Sequence, residues 1–244
     1  MLSDTSAFVH ETSESRPTML ERFATADEVL FGSLRKHYIR ALDEVLVGCD
    51  SLLDVGCGSA SPIRFLSRRL PHTTGLDAFA PAVESSRALG IHDDYAVSPL
   101  ANLDSAFGAK TFDAVATLDV IEHLRKPDGH KLLADMERVA RKRVIVFTTN
   151  GFVPQPAHSG NAFQEHLSGW SVEEFESLGF TVYGINGWKP LRGILAVPRF
   201  WPRSLWARIS LLTQPAVYRR PSSAFQILAV KNLPSEPLDP LSRG

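Results

Sequence analysis

Between Ser51 and Thr148 the hydrophobic residues come in short unbroken runs, separated by stretches with helical spacing. The first run, Ser51-Leu52-Leu53-Asp54-Val55, does not alternate between apolar and polar. A central parallel strand covered on both faces has that pattern. Thr73–Asp77, a short Tyr95–Val97, Phe112–Leu118 and Val144–Thr148 predict four more strands. Helices are predicted between them. Ser61-Pro62 reads as an N-cap and first helical residue, Ile63, Leu66 and Leu70 as the buried stripe, and Pro71 as the stop. Pro81 opens a second helix that Gly90 closes, and Leu132, Leu133, Met136, Val139 and Ala140 share one face of a third over about 127–140.

The ends of the chain continue the pattern. Val29, Leu30, Leu34, Tyr38, Leu42, Val45 and Leu46 predict one or two flanking helices between Thr25 and Val47. Ser171-Val-Glu-Glu174 is a capping box for a helix carrying Phe175 and Leu178, which Gly179 ends. Phe180–Ile185 and Phe225–Val230 predict a last pair of strands at the sheet edge, with residues 188–222 inserted between them. Residues 150–169 form a long loop, a length more often functional than idle. The expected organisation is a loose arm over 1–20, one domain over 21–233 and a Pro-rich tail over 234–244. Strand and helix alternate, so the fold class is α/β with a doubly wound, mostly parallel sheet that binds ligands beyond the carboxyl ends of its strands.

The first strand runs into Gly56-Cys57-Gly58-Ser59. Glycines there let the backbone approach a ligand closely. A dinucleotide fingerprint would need a third glycine at position 61, which is Ser61. Asp54, two residues before Gly56, suits a cationic amino group rather than a pyrophosphate. Asp77 ends the second strand, where a carboxylate can accept both hydroxyls of a ribose. Asp-Val-Gly-Cys-Gly-Ser resembles the first motif of the class I S-adenosylmethionine (SAM) methyltransferases. The resemblance covers about 50–187 and resumes at 223–231, and it implies their seven-stranded sheet and SAM as cofactor. It places Asp54, Gly56 and Gly58 around the methionine portion and Asp77 on the ribose, with Cys57, Ala78, Leu118 and Asp119 completing the cofactor contacts. Many members carry an acid after the third strand for the adenine amino group. Here that position is Pro99, which leaves adenine to backbone and apolar contacts or to Asn102 or Asp104.

Asp119-Val-Ile-Glu122-His123 leaves the fourth strand beside that site, and the loop after the fifth can bring His166 across the same mouth. A carboxylate with two imidazoles can bind a divalent cation or act as a general base. Val-Ile-Glu-His with a later His and aromatic resembles two groups of O-methyltransferases: those of ubiquinone biosynthesis, and those that methylate the terminal 2′-hydroxyl of small RNAs. In the latter, acids and histidines of this pattern hold the metal. The catalytic candidates are therefore Glu122, His123 and His166, with Asn150, Asn161 and Trp170 as candidates for the acceptor pocket, although Trp170 taken alone reads rather as loop packing.

Charge and composition narrow the partners. A net charge of −1 gives no bulk attraction to nucleic acid, so a small or lipid-like acceptor is favoured over RNA. A SAM-binding partner subunit without chemistry would not need Glu122, His123 and His166. With two cysteines, Cys49 and Cys57, the second inside the ligand turn, a reducing cytoplasm is expected. From Glu176 to Glu236 no acid intervenes, while Lys189, Arg192, Arg199, Arg203, Arg208, Arg219 and Arg220 interleave with Trp188, Phe200, Trp201 and Trp206. That stretch is expected to cap the acceptor entrance and to meet an anionic ligand or an anionic membrane surface.

Overall fold

The computed structural model describes residues 37–156, 164–193 and 197–234. Seven strands form one sheet: β1 (Ser51–Val55), β2 (His72–Asp77), β3 (Asp94–Val97), β4 (Phe112–Leu118), β5 (Ala140–Thr149), β6 (Thr181–Trp188) and β7 (Ala224–Asn232). Their spatial order is β3-β2-β1-β4-β5-β7-β6. Neighbours among β1 to β5 pair in parallel, while β7 runs antiparallel to both β5 and β6. The order reverses between β1 and β4. Such a switch point opens a crevice at the carboxyl ends of the strands.

Unbroken apolar strands follow from burial on both sides. Leu53, Val55, Val115, Val144 and Val146 face one core cluster with α4 (Lys126–Val139) and α5 (Val172–Ser177). Leu52, Ala114, Ala116, Ile145 and Phe147 face another, which includes Tyr38, Leu42 and Leu46 in and beside α1 (37–45). Residues 25–36 of the predicted N-terminal helices lie outside the described residues. The switch point thus sits on a sheet held rigid from both faces. No helix among the described residues is long and apolar enough to cross a membrane.

One predicted helix does not form. After Ser61, whose hydroxyl oxygen accepts the Ile63 N–H, only a single 3₁₀ turn follows, Pro62–Phe65. The chain leaves it at Leu66, and the Ser67 N–H goes to the Asp43 carboxylate of α1. A tertiary contact has replaced helix propagation, and the ligand turn has no long helix behind it. The next helix, α2 (Ala80–Ala88), forms as expected, and a short α3 (Leu103–Ala106) follows β3.

The insertion between β6 and β7 folds as α6 (Arg203–Tyr218). It packs on β6 where that strand has glycine: a Cβ on Gly184 would lie 2.1 Å from the Val217 carbonyl oxygen, and one on Gly187 would lie 2.3 Å from Ser210 Oγ. The inward face is small or polar, with Ala207, Ser210, Gln214 and Val217. Leu205 and Leu212 point outward, and Leu212 is 80% exposed.

At the opposite end of the sheet, Asp113 ties three elements together. It accepts hydrogen bonds from the Asp50 N–H, Arg141 Nε and Lys142 Nζ at 2.8 to 3.0 Å. Burial alone would raise its carboxyl. The Asp50 N–H and the two cations outweigh that and hold it below the usual carboxylate range. A depressed acid stabilises the fold above its unfolded pKa, and the gain is lost as pH falls through the folded value. Asp113→Asn is expected to cost about 2 kcal/mol at pH 7. The gap to wild type should begin to narrow below about pH 4 and close only once pH has fallen past the depressed folded value. Urea unfolding at pH 7 and at successively lower pH down to about 2.5 checks this; a gap that never narrows would show that the charge is immaterial.

Candidate active site

The glycine turn is built as its sequence requires. Gly56 and Gly58 have φ of +79° and +56°, values that favour glycine. Gly56 is excluded from any other identity a second time, because its Cβ would lie 2.5 Å from Val120 Cγ2. At Gly58 a Cβ would meet nothing within 4 Å, so the backbone borders open space. The Leu76 carbonyl accepts the N–H groups of Gly56 and Cys57. Asp77 completes the turn: Oδ2 accepts the Gly58 N–H at 2.9 Å and Oδ1 the Phe79 N–H at 2.8 Å. Each carboxylate oxygen keeps a second lone pair for a ligand hydroxyl. Open space beside Gly58 and an acid fixed at its edge fit a nucleoside with a free ribose edge.

Asp54 is placed differently from a residue open at the turn. It is 1% exposed, and its Oδ2 lies 3.0 Å from Nε2 of His92, itself buried and near Ser86 Oγ through Nδ1. Its Oδ1 is buried with no hydrogen-bond partner among the described residues. A ligand ammonium reaching that oxygen would satisfy it. Cys57 is buried, and burial with the charges of Asp54 and Asp77 pushes its thiol far up, so it acts as a wall and not as a nucleophile.

The second group assembles around one backbone oxygen. The Glu122 carbonyl accepts the N–H groups of Leu167 and Ser168, at 2.8 and 3.0 Å, which clamps the loop after β5 onto the turn after β4. Glu122, His123 and His166 are thereby brought together, with one ligand atom from each within 4.8 Å of the others. His123 Nδ1 lies 3.0 Å from the Glu165 carbonyl oxygen and His166 Nδ1 lies 2.7 Å from that of Val153. A carbonyl only accepts, so each Nδ1 carries the proton and Nε2 is the basic nitrogen of the neutral ring. Thr148 Oγ1 donates to Glu122 Oε2 at 2.9 Å.

Asp119 joins the rim of this group. Its backbone is left-handed, with φ of +55°, and Gln226 Nε2 donates to its Oδ1 at 2.9 Å. It is exposed on one side, yet the protein packed around its carboxylate raises it, against the pull of Gln226. Burial raises Glu122, and the Asp119 charge adds to that. Two crowded carboxylates beside two imidazoles form a place where a cation is welcome.

Trp170 does not line this site. It is fully buried, donates Nε1–H to Ser168 Oγ, stacks on Phe175 and fills the space that a glycine leaves at position 129. Asn150 is structural as well: its Nδ2 reaches the carbonyls of Pro221, Ser222 and Ala224, fixing the entry to β7. Asn161 lies outside the described residues. The sequence reading missed His92, Thr148 and Gln226. Each acts by touching a candidate acid from a distant strand or turn, and no local pattern marks them.

Residues 53–148 match the methyltransferase domain family. A ubiquinone biosynthesis O-methyltransferase of Rickettsia conorii is 27% identical over 168 residues, which is 60% of this chain and 54% of that one. One from Hahella chejuensis is 30% identical over 100 residues, covering 39% and 41%. The chain thus spans about half the length of these curated relatives. In fold it is similar to a SAM-dependent methyltransferase from Archaeoglobus fulgidus, with a TM-score of 0.54 and 14% identity over 86% of this chain and 99% of that one. Residues 53–148 are thus similar to a methyltransferase domain, and the sheet order and glycine turn are those of the class I SAM-dependent methyltransferase fold.

Proposed function

We propose that the protein methylates a hydroxyl oxygen of a small or lipid-like acceptor. The observation that carries this reading is the clustering of Glu122, His123 and His166 at the carboxyl end of β4, beside the cofactor turn. Bound SAM supplies a methyl group already activated by the sulfonium charge, so the chain has two tasks: to align a hydroxyl oxygen and to take away its proton. Asp77 and the Gly56–Gly58 turn hold the nucleoside, and the buried Asp54 oxygen takes the ammonium. Glu122 and the Nε2 atoms of His123 and His166 would hold a divalent cation, with Asp119 as the outer acid. Such an ion would supply Lewis acidity to make the hydroxyl more acidic. Without an ion, the same imidazoles stand where a general base belongs.

The reading is tested by methyl transfer to 3,4-dihydroxybenzoate with Mg²⁺ present or chelated. Product on a ring oxygen is the expected outcome. Transfer only to the end of a small RNA, with binding that weakens steeply in salt, would turn the reading towards nucleic acid. S-adenosylhomocysteine binding without transfer to either acceptor would favour the partner-subunit alternative.

Peripheral contact with an anionic membrane is part of the same proposal. Trp201 is 85% exposed, and Leu205 and Leu212 of α6 stand out beside Arg203 and Arg208. Each cation near an anionic surface contributes about 1 kcal/mol. Co-sedimentation with phosphatidylglycerol vesicles is expected at 0.1 M salt, and it should fade towards 1 M as the Debye length shrinks from ~10 to ~3 Å. The double variant Arg203→Glu and Arg208→Glu should lose it. Equal binding to neutral vesicles would remove the electrostatic part.

A further inference from the structure

A cavity of about 560 Å³ lies between the loop after β5 and the segment that follows β6. Phe152, Trp188 and Phe225 supply its apolar walls, and Lys189, Arg192 and Arg199 its charge. Among the described residues no carboxylate lines it. The walls from Trp188 to Phe225 come from a stretch with no acid, since none stands between Glu176 and Glu236. The cations are placed by backbone pairing. The Arg199 N–H donates to the Leu191 carbonyl and the Gly193 N–H to that of Val197, which folds the segment back and sets Arg199 opposite the Lys189 turn. Arg192 is 4% exposed, with Nε donating to Ser210 Oγ. Burial lowers its pKa to about 10, so it stays charged at neutral pH.

The cavity adjoins the candidate active site through two direct links. Val153, in its wall, offers the carbonyl that receives His166 Nδ1. Phe225, also in its wall, precedes the Gln226 whose amide holds Asp119. Arg199 lines the cavity beside Lys189, whose ammonium donates to the Asn150 carbonyl, and the largely buried Arg192. An open, largely apolar cavity with cations and no acid among its described lining residues is complementary to one kind of molecule, an anion carried on an apolar body.

We propose that this cavity binds the carboxylate or phosphate of an amphiphilic acceptor, with the apolar part between Phe152, Trp188 and Phe225. It would then select which hydroxyl compound reaches Glu122, His123 and His166. The selecting role rests on the methyl-transfer reading above, whereas the binding itself does not.

The test is therefore a binding measurement without turnover. Calorimetry with monomeric octyl phosphate, octanol and phosphatidylglycerol vesicles is applied to the full chain, to Arg199→Gln and to Arg208→Gln, whose side chain is on the outward side of α6. Octyl phosphate is expected to bind wild type about tenfold tighter than octanol, and Arg199→Gln to remove most of that preference. Arg208→Gln should keep it, and S-adenosylhomocysteine affinity should be the same in all three proteins. Equal affinity for the phosphate and the alcohol overturns the proposal. So does an equal loss in both variants, which would mean a diffuse surface field. Binding to vesicles alone would assign the cations to a lipid surface. If the phosphate binds as expected but no hydroxyl is methylated, the catalytic reading fails and this one stands.

Discussion

His166→Ala is expected to lower turnover by about 10²–10³-fold while S-adenosylhomocysteine affinity stays unchanged. His166 reaches the reacting region only because the Glu122 carbonyl holds its loop, and its Nδ1 is fixed on Val153. The Asp77 edge that binds the nucleoside is built from different bonds. Losing the imidazole should therefore leave cofactor binding intact. Glu122→Gln should cost a similar factor, since the amide can still accept from Thr148 but brings no charge. Both variants should keep the wild-type melting temperature within a few degrees, and Glu122→Gln should exceed it in chelator, because it removes a buried carboxylate that Asp119 opposes.

The two roles for this group separate in the same assay. If it holds an ion, chelator should abolish wild-type turnover, Mg²⁺ or Mn²⁺ should restore it, and His166→Ala should need a higher ion concentration. If it acts as a base, chelator should change nothing and the variants should lose rate at every ion concentration. Wild-type rates in His166→Ala and Glu122→Gln would return both residues to holding the loop together.

Most of the fold was legible because both-face burial leaves a plain mark in sequence. β1 and β4 begin and end as the apolar runs predict. Where the reading failed, a distant contact had overridden a local signal. Ser61-Pro62 is a sound helix start, yet Asp43 on α1 takes the Ser67 N–H and ends the turn early. β5 runs past Val144 in the amino-terminal direction to Ala140, through charged residues whose side chains serve the Asp113 network. The outward leucines of α6 have a physical cause of the same kind and overturn no expectation: the two glycines of β6 admit a small-residue face closely and leave nowhere to seat a leucine.

The site was legible where one segment carries its own chemistry, and obscure where a role depends on a partner. Glycine, acid and Glu-His signals are contiguous, so the turn and the group after β4 could be read directly. Asp54 was placed correctly on its strand, but its engagement by His92 could not be seen, because His92 lies just before β3 and reaches Asp54 only through the pairing of β1 with β2 and of β2 with β3. Trp170 allowed two readings, a pocket wall or loop packing, and its ring, filling the space over Gly129, follows the second.

Asp77→Ala is expected to weaken S-adenosylhomocysteine binding by about 10²–10⁴-fold. Two charge-assisted hydrogen bonds to ribose hydroxyls are worth about 1.5–3 kcal/mol each, and both vanish. The variant also frees the Gly58 and Phe79 N–H groups, which loosens the turn under the ligand, so affinity alone would mix two effects. An analogue lacking the 2′-hydroxyl resolves them. Wild type should bind the analogue about tenfold or more weaker than the parent compound. The variant should bind the two alike, because the acceptor for that hydroxyl is gone. Asp77→Asn is no conservative substitute, since its amide nitrogen would face one of two backbone donors. Thermal unfolding of Asp77→Ala without ligand then reports the turn by itself. Unchanged affinity in the variant, or the same penalty for the analogue in both proteins, would sink the assignment of Asp77 to the ribose.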